Sequence, residues 1–200
     1  MQQNPTRKLA LTALFVALVF LLGLTPLGLI PLGFVNVTVL AIPVIVGTIV
    51  LGLGTGLLLG FFFGLASFFS MIGWSMTPPS VLAGTLLGAS PVLAILMCFI
   101  PRLLIPVFVH LTYRAVKATG AAKLSLPAGA AVGSLTNTVF YLGLMYLFYR
   151  FAALDATRIV NLILGIGFIA GTSEAVVAAL LAPPIVIAIT KFSKHEEAAA

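Results

Sequence analysis

Arg102, Asn137 and Glu174 stand out as groups able to carry a charge or a strong dipole inside otherwise apolar segments. Arg102 lies in IPRLLIP, Asn137 in GSLTNTVFYLG and Glu174 in SEAVVAALLAPPIV. An ion at the centre of a membrane helix costs at least about 2.5–3.5 kcal/mol, so such groups face a cavity or a partner. The chemistry they offer is recognition. A guanidinium presents planar donors to a carboxylate, while Asn and Glu oxygens accept from hydroxyl or amide donors. Thr138 follows Asn137, and Tyr141 lies one helical turn beyond it on the same face, adding a ring and a hydroxyl. The competing reading is a plain Arg102–Glu174 pair that neutralises both charges. Ser and Thr weigh less, because their hydroxyls can bond their own helix backbone.

Catalysis has no comparable support. The sequence has no Walker A pattern, no HExxH, no GxSxG and a single cysteine, Cys98. We therefore expect no catalytic residues, no metal ligands and no cofactor held by this chain. His110 reads as interfacial. No inverted repeat and no ladder of acidic residues for coupled ions is visible, which weighs against a self-powered carrier. An ion-coupled secondary transporter and a structural bundle remain the rival classes.

The elements that must position these residues follow from composition. Of 200 residues, 62% are hydrophobic and 7% charged, with mean hydropathy +1.26; this is an all-α membrane protein on composition alone. The breaks at Pro, Gly and charge predict six spans in one domain over residues 1–200, at about 9–25, 36–53, 56–73, 91–116, 127–149 and 159–190. Pro101, Pro106, Pro183 and Pro184 are the kink points of the two longest. Arg7 and Lys8, then Arg114, Lys117 and Lys123, then Lys191 and Lys194 fall on one side of a six-span bundle, and the loops after spans one and three carry no Lys or Arg. That bias predicts both termini in the cytoplasm. Arg150, Asp155 and Arg158 form a mixed exception. The net charge of +6 is thus a topology signal and not a nucleic-acid footprint.

Residues 25–33 and 73–80 are loops rich in Pro and Gly without charge. Such backbone survives near membrane depth when packed on protein or lining a cavity, so these loops are candidate lids; Trp74 is otherwise an aromatic anchor at the interface. Small residues recur at four-residue spacing: Ala13 and Ala17 in span one, Gly56, Gly60 and Gly64 in span three, Gly167 and Gly171 in span six. The glycine seams are read as packing within the bundle; for the alanine pair, packing and a contact surface for another protein are both open.

With these motifs in place, the chain resembles the substrate-specific subunits (S-components) of energy-coupling factor (ECF) vitamin transporters over essentially its whole length. The likeness rests on ALTALFVALVF with Ala13 and Ala17, on PLGFVNVTVLAIPVIVGTIVLGLGTGLLLGFFFGLASF, and on the three segments around Arg102, Asn137 and Glu174. The resemblance implies a six-helix bundle in the cell membrane that captures a vitamin outside. It then docks, through Ala13 and Ala17, on a membrane scaffold subunit carried by two cytoplasmic ATPases, which use the ATP. It also implies a substrate site among the last three helices and the outward loops, including Asn137 and Glu174. The segments IPLGFVNVTVLAIPVIVG and GSLTNT look most like the pantothenate type. Arg102 would suit the carboxylate of that vitamin, with Asn137, Thr138 and Tyr141 for its hydroxyl and amide groups. Riboflavin and folate carriers are the alternatives; a flat ring would call on Trp74 and Tyr141.

Overall fold

The computed structural model describes residues 5–31 and 36–199. Helix α1 (Pro5–Leu24) leads through a short turn into strand β1 (Leu29–Pro31), paired antiparallel with β2 (Asn36–Thr38). Helices α2 (Ala41–Leu51), α3 (Leu53–Met71), α4 (Val81–Ala89), α5 (Pro91–Ala118) and α6 (Ala122–Phe151) follow. The chain closes with α7 (Thr157–Leu162), one wide turn over Ile163–Gly167, and α8 (Phe168–Ala199).

Among the described residues 5 helices are long and apolar enough to cross a membrane: α1, α3, α5, α6 and the Phe168–Phe192 part of α8. The expected span over 36–53 is shorter than read. Only the 11 residues Ala41–Leu51 are helical, about 16 Å of rise against a hydrocarbon core of about 30 Å. Pro43 fits the late start, since proline lacks an N–H and is accommodated at least cost in the first helical turn. Upstream, Asn36–Thr38 is extended and pairs with β1. Gly52, at φ +91°, ends the helix in a conformation that L side chains avoid, and the chain reverses into α3.

Helix α4 is a second departure, because residues 81–89 fall between the expected spans. Extended backbone at Ser80 and Ser90 brackets it, and Ala83 and Leu86 bury against the rest of the bundle. The last expected span is three pieces: α7, the wide turn and α8.

Burial is graded across the bundle. In its most apolar window α5 is 44% buried and α1 only 11%, so α5 is central and α1 peripheral. One apolar cluster joins Phe15 and Val19 of α1 to Val44, Ile45, Leu59, Ile105 and Val109. The other joins Met71, Leu86, Met97, Met145, Phe148 and Ile159. Tyr149 ties α6 to α4 by donating to the Leu82 carbonyl at 2.6 Å.

Pro101 and Pro106 leave α5 continuous. They do remove the N–H donors that Met97 O and Arg102 O would otherwise receive. At the second of these, Gly60 of α3 packs directly on the backbone, where an added Cβ would sit 2.6 Å from Arg102 O. The seam read at Gly56, Gly60 and Gly64 is this α3–α5 contact, Gly56 lying against Pro106 and Gly64 against Phe99. Gly60→Ala is therefore expected to destabilise the protein by about 1–3 kcal/mol, lowering its melting temperature in detergent. Gly54→Ala, with open space at its Cβ, should not. Equal melting temperatures for the two variants would contradict this packing.

Candidate functional site

Between the two apolar clusters lies a cavity of about 410 Å³, inside the range of roughly 300–1,000 Å³ usual for small-molecule sites. Arg102, Asn137, Thr138, Tyr141 and Glu174, five of the six substrate-site residues expected from sequence, line it. Trp74, the sixth, does not. It is 71% exposed, with its ring 5.7 Å from that of Phe69. Its loop instead bonds to the end of α1, Met76 N donating to Leu24 O at 2.8 Å.

Arg102 is buried at 8% exposure. Its guanidinium carbon lies 4.7 Å from the centre of the Tyr141 ring and 5.3 Å from that of Phe63. Two aromatic faces thus supply the attraction that water would otherwise give the cation. Nη1 donates to Met97 O at 3.1 Å, the carbonyl that Pro101 leaves without its helical donor. Nε is buried with no acceptor. Among the described residues no ion pair joins Arg102 to Glu174, so their mutual neutralisation is not what the fold does.

The carboxylate of Glu174 is held differently. Its Oε1 accepts from the Thr38 backbone N–H at 3.0 Å and from Thr38 Oγ1 at 2.7 Å, and its Oε2 accepts from Thr138 Oγ1 at 3.1 Å. These bonds fasten the end of β2 to α8 across the cavity rim. Glu174 reaches Thr138 because Gly171, about one turn before it on α8, lets α8 close on α6; a Cβ there would stand 2.8 Å from Thr138 Cγ2. The wide turn at Ile163–Gly167 brings Gly167 into the same wall, and such turns gather at functional sites. Asn137 precedes Thr138 on α6 and lines the same cavity, its Oδ1 buried without a donor. Thr136, by contrast, is satisfied by its own helix through Val132 O at 2.7 Å.

The cavity also has walls that the sequence reading missed. Ser67 and Ser70 of α3, Ser80 and Thr38 contribute hydroxyls, and Met71, Met97 and Cys98 an apolar, sulfur-rich side. Phe63, Ser67 and Ser70 recur at helical spacing on one face of α3, a signal the sequence does carry. Thr38 has none, because its partner is 136 residues away. Of the two loops expected as lids, the first contributes nothing to the cavity within residues 25–28, Leu32 and Gly33 lying outside the described residues; the second contributes Ser80.

Ala13 and Ala17 are exposed on the face of α1 opposite Phe15 and Val19, which are buried at 4% and 0%. No other part of the described bundle covers this stripe.

The family described as "ECF transporter, substrate-specific component" matches residues 7–186. The chain belongs to this family of ECF substrate-specific components. It is a multi-pass membrane transporter subunit by that membership and by its apolar helices. It is also 31% identical over 159 residues to the pantothenic acid transporter PanT of Lactococcus lactis subsp. cremoris (strain MG1363), covering 75% of this chain and 76% of that relative.

In an ECF substrate-specific component built this way, the aromatic faces hold the guanidinium in place. Tyr141→Phe retains a ring and is expected to melt close to the parent. Tyr141→Leu loses a contact of about 1–2 kcal/mol and is expected to melt lower, as read by thermal shift in detergent. Indistinguishable melting of the two variants would remove the cation–ring contact from the account.

Proposed function

We propose that this protein captures pantothenate at the outer face of the cell membrane and delivers it by docking on a scaffold subunit driven by two cytoplasmic ATPases. The observation that carries the substrate assignment is Arg102, a buried guanidinium in the cavity wall whose Nε has no acceptor and which, among the described residues, has no carboxylate paired with it. Such a site favours an anion, and the named relative transports pantothenic acid. The cavity supplies hydroxyls and an amide acceptor for the polar remainder of that molecule. A flat-ring vitamin finds less support: the rings of Phe63 and Tyr141 are already engaged with Arg102, and Trp74 stands outside the cavity.

The orientation fits this work. We place both termini in the cytoplasm, with α2 and the extended segment before it forming the sixth crossing. Cations then gather on the inner side and the cavity lies toward the outer one. In this reading the whole chain is one membrane domain, the exposed small-residue stripe of α1 meets the scaffold at Ala13 and Ala17, and ATP is used only by the partners.

Titration of the purified protein in detergent should give saturable, one-to-one heat release with pantothenate and none with riboflavin or folate; the converse would overturn the assignment. In vesicles with scaffold and ATPases, Ala13→Trp combined with Ala17→Trp is expected to abolish ATP-dependent pantothenate uptake while leaving binding unchanged. Normal uptake by that double variant would place docking elsewhere.

A further inference from the structure

The order of polar groups along α6 gives the cavity a direction. Tyr141, at Arg102, and Thr138, at Glu174, are separated by about 4.5 Å of helical rise. The cation and the carboxylate of the site are therefore set about one turn apart along α6. Asn137, with its unmatched acceptor, stands on the Glu174 side of Tyr141. An acidic group at the Glu174 end would meet a carboxylate; a donor there would meet Oε2, which accepts a single bond from the protein.

Resting on the pantothenate reading above, we propose that the substrate lies in one polarity, its carboxylate on Arg102 and its amide and hydroxyl end on the side of Asn137 Oδ1 and Glu174. Arg102 is then the specificity-determining residue for a free carboxylate, and Glu174 the residue that requires the far end to be an uncharged donor. The molecule matches this two-ended order: its carboxylate stands alone at one end, and its amide and hydroxyls lie together beyond two methylenes. Two consequences separate this pose from its reverse. Replacing the carboxylate by an alcohol removes the partner of a buried cation. Phosphorylating the terminal hydroxyl brings like charges together at Glu174.

The test is calorimetric titration of the full-length protein in detergent with three compounds: pantothenate, panthenol, which carries an alcohol in place of the carboxylate, and pantothenate phosphorylated on its terminal hydroxyl. In the wild type, panthenol is expected to bind about 10- to 100-fold more weakly than pantothenate, as for a lost charge-assisted hydrogen bond. The phosphorylated compound is expected to lose at least about tenfold. In Arg102→Gln the ratio of pantothenate to panthenol affinity should collapse towards one, whereas Asn137→Leu should weaken both and keep their ratio, a split that a general loss of structure would not produce. The wild-type ratios alone decide the matter if a variant does not fold. Equal binding of panthenol overturns the role of Arg102 while pantothenate capture stands. Tighter binding of the phosphorylated compound overturns the polarity. Wild-type protein that binds neither pantothenate nor panthenol overturns the pantothenate reading, and the pose with it.

Discussion

A guanidinium without a carboxylate, inside a membrane bundle, is the constraint on which the remaining architecture turns. Bare, such a cation would cost several kcal/mol, yet Arg102 is stabilised by arrangements local to its own helix and its neighbours. Pro101 deprives Met97 O of its helical donor, and Arg102 Nη1 fills the gap. Phe63 and Tyr141 face the ion from α3 and α6. Pro106 leaves the Arg102 carbonyl without its donor as well, and Gly60 lets α3 pack directly upon it. The motif IPRLLIP is therefore one device: two prolines bracket an arginine, so that the carbonyls they release hold it and seat the neighbouring helix. What the device leaves unfilled is Nε, and Arg102 itself is part of the cavity wall.

The opposite side of the site is built on close approach. Gly171 brings α8 onto α6 at Thr138, and Glu174 then reaches both Thr138 and the end of β2. Glu174 thereby joins two jobs, closing the rim through Thr38 and presenting an oxygen to the interior. A charge that serves as a structural acceptor three times over is already well solvated by the protein, which explains how it stays in the wall without Arg102 as its counter-ion. The peripheral helix α1 contributes little to this centre. Its small residues face away from the core, as suits a surface meant for another protein.

Much of this was legible from the sequence because hydrocarbon makes polar residues conspicuous. Arg102, Asn137 and Glu174 could be read as facing a cavity or a partner from their place inside apolar segments, and Tyr141 from its one-turn spacing to Asn137. Thr38 could not, since a hydrogen bond between residues 38 and 174 leaves no periodic trace. Hydropathy also over-read the second span: it does not distinguish the extended stretch Asn36–Thr38 from helix, and only Pro43 hinted at the boundary. Helix α4 was missed for the same reason in reverse, a short apolar helix looking like a loop beside the Pro-rich residues 77–79. Trp74 was drawn toward the site by residue type alone, while its position depends on the backbone bond from Met76 to Leu24, which composition does not encode.

The account stands on an anion meeting Arg102. A structure of the protein solved with pantothenate bound addresses this most directly. The expected result is a substrate carboxylate oxygen about 2.7–2.9 Å from a guanidinium nitrogen of Arg102, with the guanidinium still engaged with Phe63 and Tyr141. A bound vitamin whose carboxylate lies elsewhere, with Arg102 Nε still unpaired, would contradict it.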